Sequence, residues 1–445
     1  MAFKHFIQEK IVLPCSDIFL GQSVNYFFRF LQQSQYWSRQ QIDDFQNERL
    51  KLMIAHAYEN VPFYREKMDG LGLKPDDIQS KADLHKLPII SKAQIKKEGS
   101  GRFTAKNIPS KQITQQGSSG STGEPLRFIR DKEANSLGIA SNLFNWYNAG
   151  WRLGDRYVKL SQNPRKNPIK RLQDFVTNNL YLPTNPLIDS NFLHILKEIE
   201  RYKPKVIRCY PDPLLFLARY KQNHPEFTYS PDFIATTGNT LFPKTREEIE
   251  TAFGCKIYDS YSCEAAARVF ECPTHSCYHS TEEYGISEVI DEQGNLIEKG
   301  VGRLVSTDLW NLAQPFIRYD TQDFIEIDNT PCECGRNHLK ILRILGRDNE
   351  VLEMPSGRKF IVHNFTGFFL TDIPEIKKSI DQFQVLKKQD NSVIIRLVVN
   401  ENYDREAENY LIAFWEKELG VPVSVECLSE IPIMQNNKRR FIVNE

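Results

Sequence analysis

Between residues 191 and 261 the chain switches repeatedly between helical and extended stretches, and that alternation limits its possible folds more than any other feature. Residues 191–202 read as a helix and lead into the apolar run Val206-Ile207-Arg208-Cys209-Tyr210. A second helix after Asp212-Pro213 leads to Phe233-Ile234-Ala235-Thr236-Thr237-Gly238. A third, over 244–253, leads to Lys256-Ile257-Tyr258-Asp259-Ser260-Tyr261. Strand–helix–strand repetition predicts a mainly parallel sheet covered by helices. Such sheets bind ligands beyond the carboxyl ends of their strands. Tyr210-Pro211, Thr237-Gly238-Asn239 and Tyr261-Ser262-Cys263-Glu264 all fall at such ends.

Upstream lies Gly117-Ser118-Ser119-Gly120-Ser121-Thr122-Gly123-Glu124-Pro125. Glycine lets a ligand approach the backbone, successive N–H groups form an anion-binding concavity, and hydroxyls add donors. Ile113-Thr114 before it and Leu126-Arg127-Phe128-Ile129-Arg130 after it read as strands, so the loop is expected to join two strands. A Walker loop joins a strand to a helix and carries Gly-Lys-Ser/Thr, so this is a different phosphate cradle. The plain alternative is a flexible linker.

The remaining segments are less specific. Residues 1–100 read as mainly helical: Leu50, Met53, Ile54, Ala57 and Tyr58 form an amphipathic stripe that Pro62 ends. Residues 131–148 form another expected helix, and residues 284–328 read as β-rich. The tail reads as its own small unit: a helix near 372–380, a hairpin around Asp390-Asn391, a helix over 405–419 and a strand over 421–425. With 445 residues, and 57 basic against 57 acidic side chains, bulk charge favours neither nucleic acid nor a membrane surface. No stretch is long enough to span a bilayer, and no secretory signal is visible, so the cytoplasm is the expected location. A homodimer is the default expectation for a chain of this kind.

Taken in order, these motifs resemble the adenylate-forming superfamily, in its phenylacetate–CoA ligase and coenzyme F390 synthetase-like branch, which includes proteins of capsule gene clusters. The resemblance rests on the Ser/Gly/Thr loop, the Tyr…Glu element, Arg318-Tyr319-Asp320-Thr321-Gln322-Asp323, Gly346-Arg347 and a lysine near the C-terminus. It also includes His56-Ala57-Tyr58-Glu59-Asn60-Val61-Pro62-Phe63-Tyr64-Arg65. It implies an α/β fold: a large N-terminal domain (1–345) of mixed sheets flanked by helices, and a small mobile α+β domain (346–445) hinged near Asn349. It implies ATP and Mg²⁺ as reactants, a small carboxylic acid as substrate, an acyl-adenylate intermediate, and CoA or an amine as acceptor. Ser118, Ser119, Gly120, Ser121, Thr122 and Gly123 would cradle phosphates. Gly238, Asn239, Asp259 and Tyr261 would border the nucleotide, with Tyr261 stacked on the adenine. Glu264 would hold Mg²⁺, Asp323 the ribose hydroxyls with Arg347 beside it, and Lys438 the α-phosphate. The chain departs from its relatives at Glu124, where many have Lys, at the shortened Tyr261-Ser262-Cys263-Glu264, and at Gly238-Asn239-Thr240.

Two cysteine knots complete the reading. Cys272-Pro273-Thr274-His275-Ser276-Cys277-Tyr278-His279 and Cys332-Glu333-Cys334-Gly335-Arg336-Asn337-His338 together suggest a structural Zn²⁺ site. Cys272, His279, Cys332 and Cys334 are the expected ligands, with His275 or Cys277 as substitutes for His279. A full Cys/His set leaves no open position for catalysis.

Overall fold

The computed structural model describes residues 2–117, 126–161, 168–263, 267–347, 351–361, 379–429 and 441–444, with the single positions 365, 368, 376 and 431. The cradle residues Ser118–Gly123, the Mg²⁺ candidate Glu264, the hinge candidate Asn349 and Lys438 fall outside these stretches.

An eleven-stranded sheet forms the centre of the molecule. One half is parallel: Asn179–Pro183, Tyr157–Ser161, Val206–Cys209, Phe233–Thr237 and Lys256–Ser262 run side by side. The helices Asp189–Tyr202, Pro211–Gln222 and Pro243–Phe253 make the crossovers, as the alternation predicts. Their inward faces, including Ile195, Leu214 and Ile249, bury Ile207, Ile234 and Ile257 of the sheet. The sheet then reverses. Lys256–Ser262 pairs antiparallel with Arg268–Glu271, which pairs with Tyr278–Ser280. Lys340–Arg347, Tyr319–Ile327, Gly300–Asp308 and Gly285–Ile290 continue outward, all antiparallel.

The helical start packs over this second half. Arg39–Asn60 begins at a capping box of Ser38 and Gln41 and stops before Pro62, which opens the next helix. Leu50, Met53, Ile54 and Ala57 are buried with Leu304, Ile325 and Ile341 of the sheet. The strands flanking the glycine-rich loop, Ile113–Gly117 and Arg127–Asp131, pair antiparallel in register from Ile113↔Asp131 to Gly117↔Arg127. Asp131 then caps the helix Lys132–Asn148 by accepting from the Ala134 N–H.

The tail has a separate core of Val385, Ile395, Leu411 and Trp415. Its sheet orders Val423–Cys427, Val393–Val399, Ile380–Lys387 and Ile442–Asn444, with the helix Arg405–Leu419 against it. The helix expected near 372–380 lies largely outside the described residues, and Ile380, its last position, instead opens a strand. Contacts among the described residues tie the tail to the start of the Pro243–Phe253 helix. The Phe242 and Phe441 rings lie 4.5 Å apart, and Lys244 pairs with Asp381, which also accepts from Asn400 Nδ2 at 2.9 Å.

Candidate functional site

The carboxyl ends of the parallel strands converge on one edge. Tyr210 follows the Val206–Cys209 strand, and its ring covers Gly238 after the next one. A Cβ on Gly238 would lie 2.6 Å from that ring, and its φ of +87° is one that side chains disfavour. Glycine is therefore required there sterically and conformationally. Beside it Asn239 donates from Nδ2 to Asp212 Oδ2 at 2.6 Å. Asp212 opens the Pro211–Gln222 helix, a partner that sequence alone did not connect to Asn239.

At the next strand end, Tyr261 donates its hydroxyl to Asp323 Oδ2 at 2.6 Å. The two residues are 62 positions apart and come from the two halves of the sheet. Asp323 is buried, its N–H donates to Thr321 Oγ1 at 3.1 Å, and its Cα stands opposite Arg347 across the sheet. The nearby Arg318 does not neutralise it. That guanidinium is committed to Glu288 at 3.0 Å and to the Leu87 carbonyl at 2.6 Å. The structure thus brings together Gly238, Asn239, Tyr261 and Asp323 along one edge, with the backbone of Arg347 next to it.

Asp259 stands differently. The expectation was a nucleotide contact, but its carboxylate is buried, accepting from Thr236 Oγ1 at 2.5 Å and Tyr278 Oη at 3.2 Å. Burial pushes its carboxyl up to about 6. Its role is that of an internal support for the strand carrying Tyr261. The support continues: the Asp259 N–H donates to Glu271 Oε2 at 2.7 Å, and Arg246 Nη2 donates to the same oxygen at 2.9 Å.

Glu271 leads directly into the cysteine knot. Cys272, Cys277, His279 and Cys332 place their ligand atoms within 4.8 Å of one another. Cys272 Sγ and Cys277 Sγ lie 3.8 and 3.6 Å from Cys332 Sγ, and Cys277 Sγ lies 3.7 Å from His279 Nε2. Two thiolates on a tetrahedral zinc, each at about 2.3 Å, sit about 3.8 Å apart, so these side chains fit the ion. The Cys272 thiol is held below its ordinary value, chiefly by its hydrogen bond with Cys277, and Cys277 is pushed up by the same contact.

Cys277, expected only as a substitute ligand, stands inside this group, and the expected ligand Cys334 joins it with Sγ 3.2 Å from His279 Nε2. His275 turns away at φ 57° to meet Glu271 Oε1 at 3.0 Å. His279 also lines a cavity of about 40 Å³ together with Asn145, Thr281, Glu283 and His338.

Comparison with known proteins follows this geometry. Residues 356–445 match the family model of the CapK C-terminal domain. Protein CapK of Staphylococcus aureus is 24% identical over 457 aligned residues, covering 99% of this chain and 92% of that protein. A phenylacetate–coenzyme A ligase of Thermus thermophilus is 26% identical over 350 residues, covering 71% of this chain and 72% of that one. Among solved structures, 2-hydroxyisobutyryl-CoA ligase in the postadenylation state, in complex with R3-HIB-AMP, superposes with a TM-score of 0.74 at 16% identity. That match covers 93% of this chain and 92% of the other, and it shows a common fold. The chain is thus similar to protein CapK over nearly its whole length and to a phenylacetate–coenzyme A ligase over 71% of it, carries a match to the CapK C-terminal domain at residues 356–445, and shares its fold with 2-hydroxyisobutyryl-CoA ligase.

Proposed function

We propose that the protein activates a small carboxylic acid with ATP and passes the acyl group to the thiol of CoA. A carboxylate oxygen attacks the α-phosphorus of ATP, the bond to the bridging oxygen breaks, and pyrophosphate leaves. The thiolate then attacks the acyl carbonyl, and AMP departs with the electron pair of the former mixed anhydride. Positioning and electrostatics do most of the work in such phosphorus chemistry.

The Tyr261–Asp323 pair carries this reading. A buried carboxylate, held by a tyrosine at the switch between sheet halves, suits the two hydroxyls of a ribose. Gly238 lets the Tyr210 ring lie over the strand exit, where that ring and Tyr261 border the place for a flat base. Ser118, Ser119, Gly120, Ser121, Thr122 and Gly123 supply the phosphate cradle, and Lys438 the cation for the charge that develops on the α-phosphate. Glu264 holds Mg²⁺, a hard cation that takes carboxylate oxygen and shields the phosphates.

The test is exchange of labelled pyrophosphate into ATP with a panel of carboxylic acids, followed by AMP release with CoA or with amines. Acid-dependent exchange is expected; its absence across the panel, with ATP bound, would overturn the reading. AMP release with amines alone would move the acceptor from thiol to nitrogen. Lys438→Ala is expected to slow exchange by about 10²-fold with ATP affinity nearly unchanged, as for loss of one preorganised charge partner. Full activity of that variant would remove Lys438 from the chemistry. Tyr261→Phe removes the hydroxyl's hydrogen bond to Asp323 and is expected to weaken ATP binding by about tenfold, as for one charge-assisted hydrogen bond. Calorimetric titration with ATP measures this, and unchanged affinity would show that Asp323 needs no tyrosine to hold it.

A further inference from the structure

Ala2–Ile7, a π-turn at Gln8–Val12, and Leu13–Leu20 form one rod about 28 Å long. It ends at Gly21, whose left-handed φ of 61° and N–H bond to Asp17 close the helix. The rod lies antiparallel beside the Lys132–Asn148 helix: Gln8 packs on Gly154 beyond one end of that helix, and Gly21 lies by Lys132 at the other. His5 Nε2 meets Asp155 Oδ1 at 2.8 Å, which fixes the rod's inner face.

The outer face is apolar. Phe3 is 76% exposed, Ile18 85% and Phe19 89%, with Phe6, Ile11 and Leu20 also outward. The other outward side chains of the rod are Lys4, Lys10 and Cys15. Asp17 is buried and accepts from the Asn25 N–H at 2.7 Å, and Glu9 is only partly exposed, 3.9 Å from Lys10 and 3.7 Å from Arg29, which leaves Lys4 as the rod's outward cation with no carboxylate beside it on the rod. A second exposed apolar piece lies near the start of the rod. Asn178 donates to the Gly154 carbonyl at 3.0 Å, so the end of the helix Pro168–Val176 reaches the residue on which Gln8 packs. There Phe175 is 81% exposed, Val176 and Arg171 point outward, and Asp174 is buried against Asn179.

Among the described residues of the rod and the helix end, apolar side chains with lysine and arginine between them, and no fully exposed carboxylate, complement an anionic lipid surface. The same composition disfavours pairing with a second copy, because an isologous contact would bring like charges together. We propose that residues 2–20, with the Phe175–Val176 corner, form a peripheral docking face for anionic membranes. The overall charge of zero hides this face, since its positive side chains are balanced elsewhere.

Flotation of the full chain with vesicles tests the proposal. Binding is expected to vesicles of phosphatidylcholine containing about a third phosphatidylglycerol, and to fall about tenfold on pure phosphatidylcholine. The double substitution Ile18→Asp/Phe19→Asp is expected to lower binding to the anionic vesicles by at least about tenfold. Lys4→Glu/Lys10→Glu should also weaken binding and flatten its dependence on salt. Circular dichroism melts identical to the parent protein will show that these exposed positions leave the fold intact. The proposal is overturned if the parent chain stays with the unbound fraction on anionic vesicles, or if Ile18→Asp/Phe19→Asp floats as well as the parent. It is equally overturned if the chain sediments as a dimer that this double substitution dissociates, since a second copy then covers the face.

Discussion

Stripping the metal from the Cys272, Cys277, His279 and Cys332 knot is expected to cost several kcal/mol of stability and to loosen the strand that carries Tyr261. A ligand at a thousand times its Kd, bound by the folded state alone, stabilises that state by about 4 kcal/mol, and structural zinc reaches such ratios readily. The effect passes to the site through named contacts. Cys272 follows Glu271, and Glu271 holds both the Asp259 N–H and Arg246. Elemental analysis of protein prepared without chelator is expected to find about one zinc per chain. Thermal melts before and after dialysis against a chelator measure the loss, and Cys272→Ser should reproduce it. Protein with no zinc, an unchanged melt and freely alkylated cysteines would remove the metal from the account.

The second large effect comes from Glu283 and His338, which pair at 3.1 Å with side-chain exposures of 2% and 5%. Ser34 adds its hydroxyl to the same carboxylate. Burial opposes charge on both, but attraction to the partner prevails: His338 is held above its ordinary 6.5 and Glu283 below its ordinary 4.5. The raised histidine contributes stability that is complete below pH 6.5 and vanishes as pH rises through its folded value. The depressed glutamate contributes stability that is complete above pH 4.5 and vanishes as pH falls through its folded value. The pair is therefore strongest between about pH 4.5 and 6.5. His338→Ala leaves a buried carboxylate unpaired and is expected to cost about 3–5 kcal/mol in that window. Adding Glu283→Gln should restore part of the loss, because the orphaned charge goes with it. Urea denaturation of the parent and both variants at pH 6 and pH 8 reads this. Equal stability of His338→Ala and the parent at pH 6 would show that the ion pair contributes nothing net.

Much of the frame was legible in the residues because local chemistry decides it. Pro62 ends one helix, Asp131 caps another, and β-rich flanks around the hydroxyl-rich loop pair as their alternation implies. The antiparallel half was harder to read. Lys340–Arg347 inserts between Tyr319–Ile327 and Tyr278–Ser280, an arrangement set by contacts far apart in sequence. The site shows the same division. Gly238 and Tyr261 stood out at strand ends and Asp323 only through the family resemblance, while Asp259 in the same region turned out to face inward to Thr236. Period-two alternation puts Asp259 and Tyr261 on one face of their strand, so the residue pattern alone does not separate them. In the cysteine knot, spacing located the cluster but not which sulfur turns into it. The reversal at His275 directs Cys277 inward, and no residue count along the chain reveals that turn.

The two contacts joining the tail to the Pro243–Phe253 helix answer to different physics. The Phe242–Phe441 ring pair is held by excluded water, and Lys244–Asp381 by opposite charge. Of these described contacts, concentrated electrolyte would therefore loosen the charged one and leave the greasy one shut.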